Sequence, residues 1–188
     1  MTFSRRFFPA LPALVAGALT CVAGATPASA APRPISLIPG LLAVNVHSGK
    51  CLVVAGDSDL VVQRSCAQDP AFRWRPIPVS LFGWFHLENE KSGKCLTISG
   101  GGREDGGLVM QYACDAQESR AWSFADAPGK GVYVENVNSG KCLTVAGGGI
   151  GENGQIVQYR CDGEVSRRWS FRLTPDGPGV VTVNGGRP

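Results

Sequence analysis

The residues in this chain with the most definite chemistry are six cysteines. Cys51, Cys95 and Cys142 each end a near copy of one segment: Asn45-Val-His-Ser-Gly-Lys-Cys51-Leu52, Asn89-Glu-Lys-Ser-Gly-Lys-Cys95-Leu96 and Asn136-Val-Asn-Ser-Gly-Lys-Cys142-Leu143. A second cysteine follows each copy, at Cys66, Cys114 and Cys161, and a tryptophan follows that, at Trp74, Trp122 and Trp169. Zinc ligands usually come as pairs about two to four residues apart, and these cysteines are much farther apart. Equivalent units should close alike, which selects Cys51–Cys66, Cys95–Cys114 and Cys142–Cys161 from the ~15 pairings six cysteines allow. Loops of about 15–20 residues closed in this way contribute roughly 3 kcal/mol each in the chain-entropy model.

Other reactive patterns are weaker. His47 and His86 are the only histidines, neither has a counterpart in another copy, and no Ser/His/Asp arrangement recurs. Glycoside hydrolysis needs two carboxyls facing one bond, and the acids show no such pairing. Gly100–Gly102 lack the Gly-Lys-Ser/Thr context of a phosphate cradle and read as turn residues. The three Ser-Gly-Lys turns are expected to present solvated lysines, and the three tryptophans to be core. The chain is therefore expected not to be an enzyme and to need no cofactor or metal.

The elements that must hold these residues belong to an exported protein. Arg5 and Arg6, the apolar stretch from Leu11 to Ala25 and Ala28-Ser29-Ala30 make a signal peptide over residues 1–30. Ser4-Arg5-Arg6-Phe7-Phe8 also resembles a twin-arginine signal. The stretch is too short for a membrane span, and no later segment approaches ~20 apolar residues. Cys21 leaves with the signal, and six cysteines in an oxidising compartment suit a disulfide framework. Without Arg5 and Arg6 the formal charge falls from its full-chain value of +3 to near neutrality. That excludes an electrostatic footprint for nucleic acid or anionic membrane. The protein is expected to be secreted, extracellular and monomeric.

A fixed period means one supersecondary unit built three times. The second and third copies align over SGKCLT, three glycines, QY-x-CD and SR-x-WSF, whereas the first has a shorter loop and Arg64 where the others have Tyr112 and Tyr159. The periodicity is two, which predicts strands at 84–88, 95–98, 108–112, 132–135, 142–145 and 156–159 and at the Trp-Ser-Phe ends. About four short strands per unit make about twelve in all. A propeller typically needs four or more blades, so three copies close better as a threefold barrel with a hairpin cap, an all-β, β-trefoil fold. It is expected over residues 31–174, with repeats at about 41–83, 84–130 and 131–174 and a flexible tail at 175–188.

The pattern resembles the ricin B-type lectin family, also grouped among carbohydrate-binding modules. The features that carry the resemblance are the Ser-Gly-Lys-Cys-Leu entry, an aromatic two residues before the second cysteine, and the tryptophan of a terminal Gln-x-Trp. The last reads Phe72-Arg-Trp74, Arg120-Ala-Trp122 and Arg167-Arg-Trp169, so the glutamine is absent throughout. The resemblance implies one sugar site per repeat, with an aspartate after Cys-Leu, an aromatic ring under the pyranose and an asparagine before the tryptophan. Sugars need both, having a C–H-rich face and a rim of hydroxyls.

The aspartate positions hold Val53, Thr97 and Thr144, the aromatic positions Arg64, Tyr112 and Tyr159, and the asparagine positions Ala71, Ser119 and Ser166. Repeat one is therefore expected to be inactive. The candidate site residues are Thr97, Tyr112, Asp115 and Ser119 in repeat two and Thr144, Tyr159, Asp162 and Ser166 in repeat three. Tyr112 and Tyr159 read either as ligand platforms or as packed strand-face residues. The expected partner is a glycan or polysaccharide. The alternative is a protein-binding trefoil, such as a hydrolase inhibitor, which should carry a protruding loop unique to one repeat.

Overall fold

The computed structural model describes residues 39–173 and residue 175. The signal peptide expected over 1–30 lies outside them, as does the tail expected over 175–188 apart from its first residue. Repeat one contributes β1 (Leu41–Asn45), β2 (Cys51–Val54), β3 (Val61–Arg64) and β4 (Arg73–Pro78). Repeat two contributes β5 (Phe85–Asn89), β6 (Cys95–Ile98), β7 (Val109–Tyr112) and β8 (Trp122–Asp126). Repeat three contributes β9 (Val132–Asn136), β10 (Cys142–Val145), β11 (Gly154–Tyr159) and β12 (Arg168–Arg172). The described residues hold these twelve strands and short 3-10 turns, with no α-helix, as the period of two predicts.

The first and last strands of each repeat close an antiparallel ring in the order β1, β4, β5, β8, β9, β12 and back to β1. The middle strands form three hairpins, β2–β3, β6–β7 and β10–β11. These hairpins join one another through β3–β11 and the isolated bridges Leu60–Met110 and Leu108–Val157. A ring leaves no open edge, which solves the edge problem that three separate meanders would face. The fold is a β-trefoil.

Its core holds Trp74, Trp122 and Trp169, all fully buried, with Leu52, Leu96 and Leu143. Each indole N–H finds an acceptor: the carbonyls of Leu52, Leu96 and Leu143 accept at 3.1, 2.9 and 2.8 Å. A buried Trp needs such a partner. The cysteines pair as expected, Cys51–Cys66, Cys95–Cys114 and Cys142–Cys161.

The recurring Asn-x-x-Ser-Gly-Lys segment turns out to tie neighbouring repeats together. Gly49, Gly93 and Gly140 adopt φ of 68°, 66° and 66°, a region that favours glycine, and so close the turn. The buried asparagine at its start reaches across a repeat boundary: Nδ2 of Asn45, Asn89 and Asn136 donates to the carbonyls of Ser166, Ala71 and Ser119. The turn serine donates to a buried glutamine, Ser48 to Gln63, Ser92 to Gln111 and Ser139 to Gln158.

The expectation of solvated lysines is corrected. Lys50 pairs with Glu152, Lys94 with Asp59 and Lys141 with Asp105, in each case an acid from another repeat's loop. The turn projects the ammonium over the adjacent hairpin, where a carboxylate awaits it, and the side chains of Lys50 and Lys141 are largely covered as a result.

Candidate functional site

Each repeat re-enters the barrel through a short 3-10 turn, at Pro70–Phe72, Glu118–Arg120 and Val165–Arg167. In repeats two and three this turn carries a serine and an arginine, and it forms one side of a concave surface. Its serine carbonyl is held from two directions. The Ser119 carbonyl accepts from Thr97 Oγ1 at 3.2 Å and from Asn136 Nδ2 at 2.9 Å. The Ser166 carbonyl accepts from Thr144 Oγ1 at 3.1 Å and from Asn45 Nδ2 at 2.7 Å. Thr97 and Thr144 are buried, so their hydroxyls brace the turn from beneath.

The wall is built by the arginines that replace the family's glutamine. Arg120 donates to Asp115, and its guanidinium lies 5.0 Å from the centroid of the Tyr112 ring. Arg167 donates to Asp162 at 3.0 Å and lies 4.8 Å from the Tyr159 ring, with Arg160 at 5.4 Å. A guanidinium over an aromatic face contributes about 0.5–2 kcal/mol. Each aspartate also accepts a main-chain amide, Asp115 from Gln117 at 2.9 Å and Asp162 from Glu164 at 3.3 Å. Tyr112 is 53% exposed, whereas Tyr159 is half-buried. Beside the repeat-two wall, burial holds the His86 imidazole below its usual range; Asp115 opposes that shift and Arg120 reinforces it.

Two cavities follow. The one in repeat two, about 650 Å³, includes Gly100, Gly101, Asp115, Gln117, Ser119 and Asn138 in its lining. The one in repeat three, about 430 Å³, includes Thr144, Gly147, Tyr159, Asp162, Ser166 and Arg167. All four repeat-three candidates thus line one cavity. In repeat two Asp115 and Ser119 do so, while Thr97 lies beneath the turn and Tyr112 stands outside the lining. Sequence reasoning missed Arg120 and Arg167, although their recurrence in SR-x-WSF was a usable signal. It also missed Asn138, which comes from repeat three and donates to the Gly101 carbonyl at 2.9 Å.

Repeat one is built differently. Val53, Ala71 and Phe72 occupy the positions of threonine, serine and arginine, and they pack with Leu42 and Val44 as a second apolar cluster. Arg64, in the tyrosine position, donates to Asn153 of repeat three at 2.6 Å. The same repeat ends in a hairpin whose tip exposes Val79, Leu81 and Phe82, with the Phe82 and Trp84 rings 5.9 Å apart. No large apolar residue occupies the matching connection from Ala127 to Gly131. That tip also escaped sequence reasoning.

Among the described residues no group of three or more His, Cys, Asp or Glu could hold a metal, and no helix is long and apolar enough to cross a membrane.

The same architecture recurs in solved structures. A designed threefold-symmetric protein, ThreeFoil, matches with a TM-score of 0.67 and 26% identity, over 70% of this chain and 96% of that one. An exo-β-1,3-galactanase from Clostridium thermocellum matches with a TM-score of 0.68 and 24% identity, over 74% of this chain and 31% of the enzyme. A Polyporus squamosus lectin bound to Neu5Acα2-6Galβ1-4GlcNAc matches with a TM-score of 0.62 and 15% identity, over 71% of this chain and 48% of that one. No curated protein matches the chain. The family model for the ricin-type β-trefoil lectin domain-like proteins matches three times, at the overlapping residues 40–112, 80–156 and 118–186. With three matches spanning nearly all of the β-trefoil, the chain belongs to the ricin-type β-trefoil lectin domain-like family.

Proposed function

We propose that this protein is a secreted module that binds a glycan or polysaccharide non-covalently through repeats two and three, without catalysis. The observation that carries the reading is the paired construction of the two cavities. In repeat three a tyrosine, an arginine–aspartate pair and a threonine-braced turn line one cavity. In repeat two Asp115 and the threonine-braced turn line the corresponding cavity, with Arg120 and Tyr112 packed behind Asp115, while repeat one fills the same place with Val53 and Phe72. An arginine–aspartate pair offers donors and an acceptor side by side, which is what adjacent sugar hydroxyls require. In repeat two the charges cancel within the pair, and in repeat three Arg160 and Arg167 share Asp162 while Glu164 lines the same cavity, so these sites suit neutral sugars. The family's lectin character supports the same reading, and three disulfides fit an extracellular setting.

The test is a screen of soluble glycans and insoluble polysaccharides with the protein and its Tyr112→Ala and Tyr159→Ala variants. Retention on at least one neutral polysaccharide is expected, weakened by each substitution. Binding untouched by either would reject the site assignment.

A second reading, a protein-binding module, is favoured by the exposed Val79–Trp84 tip, the kind of loop unique to one repeat that an inhibitor would carry. If no glycan is retained, and Leu81→Ser with Phe82→Ser abolishes capture of a secreted hydrolase, this reading replaces the first.

A further inference from the structure

The three repeat boundaries are equivalent by symmetry, yet one of them differs in charge. At the boundary of repeats one and two, Glu88 lies opposite Arg75 across β5 and β4 and pairs with it at 3.7 Å. At the boundary of repeats two and three, Glu135 lies opposite Ser123. At the boundary of repeats three and one the matching residue is Val44, opposite Ser170. The acid present at the other two boundaries is therefore absent from the third.

Two further changes convert the loss of an acid into a site. Arg172 stands where the other boundaries have Ile77 and Ala125, and Lys130 stands where they have Pro39 and Gly83. Gly131 occupies the place held by Trp84 at the boundary of repeats two and three; its φ is +87°, and a Cβ there would meet the Trp169 carbonyl oxygen and a Val46 methyl at 2.8 Å. The Trp169 backbone and Val46 therefore close tightly on this glycine. Beside it is a cavity of about 590 Å³ with Val44, Val46 and Gly131 as apolar wall, Ser170 as a hydroxyl, and Arg172 and Lys130 as the only charged lining among the described residues. Neither cation forms an ion pair with another described residue. It is separate from the concave surfaces of repeats two and three, whose arginines already pair with aspartates.

We propose that this cavity between β1 and β12 is a third ligand site, which takes a carboxylate-bearing sugar, a hexuronate residue, with the carboxylate on Arg172 and Lys130 and a C–H face on Val46, the partly exposed valine of the wall. Two cations with no acid among the described lining residues select an anion, and charge-assisted hydrogen bonds are roughly twice as strong as neutral ones. The apolar wall selects an anion that carries a C–H surface. The carbohydrate reading enters only in naming a sugar as the body that bears the charge.

The experiment follows backbone amide NMR shifts of the protein on titration with methyl glucuronide, methyl glucoside and acetate. Methyl glucuronide is expected to move the amides of Val46, Gly131 and Ser170, while methyl glucoside and acetate at equal concentration leave them in place. The double variant Lys130→Gln with Arg172→Gln should bind methyl glucuronide roughly tenfold more weakly or worse, as should the parent when ionic strength rises from about 0.01 to about 0.15 M. Val44→Glu, which restores the acid of the other repeats, should abolish binding; the double variant carries the test if Val44→Glu does not fold. Equal shifts with acetate, shifts centred on Tyr112 and Tyr159, unchanged binding by the double variant, or no shift at all would overturn the proposal. Failure of the neutral-glycan reading is separable, because it is read from polysaccharide retention in the Tyr112→Ala and Tyr159→Ala variants.

Discussion

Thr97 and Thr144 change what the pocket can offer a ligand. A carboxylate there would project acceptors at a sugar; a buried threonine instead donates its hydroxyl to the serine carbonyl below the surface. The acceptor is supplied from Asp115 and Asp162, each clamped by an arginine that also lies over the adjacent tyrosine. Arg120 is thus the residue on which the repeat-two wall depends. Arg120→Ala should weaken glycan binding at that site by about 1–2 kcal/mol, close to a factor of ten, through loss of the ring contact and of a charge-assisted donor. Arg120→Lys should fall between parent and alanine, since an ammonium keeps the charge but not the planar stacking. Titration calorimetry with a saccharide identified by the screen decides it: an Arg120→Ala variant that binds like the parent would exclude this wall from the site.

At the scale of elements, the hairpins are latched to one another by the turn lysines. Glu152 shows the strongest effect. Hydrogen bonds from Lys50, then from the Ser65 hydroxyl and amide, hold its carboxyl well down, from 4.5 to about 2. Lys141 shifts Asp105 in the same direction. A carboxyl depressed in the folded state binds fewer protons there than in the unfolded chain. Its contribution is therefore complete above about pH 4.5 and is lost as pH falls from there toward 2. Glu152→Gln should flatten the fall of the urea midpoint between about pH 5 and about pH 2.5, while the parent falls more steeply. Equal slopes for the two would mean that the Lys50–Glu152 latch does not hold in solution.

At the scale of the molecule, repeats two and three carry the two proposed sites on one β-trefoil. If both engage one polysaccharide, the second contact is intramolecular, and avidity can exceed single-site affinity by about 10²–10⁴. Tyr112→Ala and Tyr159→Ala should each remove most of the retention on insoluble polysaccharide. Each should only halve the stoichiometry measured with a short soluble saccharide. Retention curves beside calorimetric stoichiometry make the comparison; single variants that retain parental avidity would mean that the two sites work alone. Repeat one has gone another way, with a filled pocket on one side and an apolar tip on the other.

The architecture was legible because its signals lie close together along the chain. Cysteine pairs, Ser-Gly-Lys turns, period-two strands and tryptophans occur within each unit and three times over, and that alone led to the twelve strands, the trefoil and the disulfides. The strand edges near Phe85 and Gly154 and the roles of Asn45, Asn89 and Asn136 were not legible in the same way. What only the tertiary structure decided lies between units. Lys50 and Glu152 meet across 102 positions of sequence, and Asn45 and Ser166 across 121. The turn lysines were therefore expected in solvent and are found in ion pairs. The arginines beside Asp115 and Asp162 acquire a role only once the 3-10 turn folds them over Tyr112 and Tyr159. Local composition specified the repeat, because each unit's turns, disulfide and alternation act within that unit. Closing the ring specified the sites, because their walls and charges are assembled from residues that the chain keeps far apart.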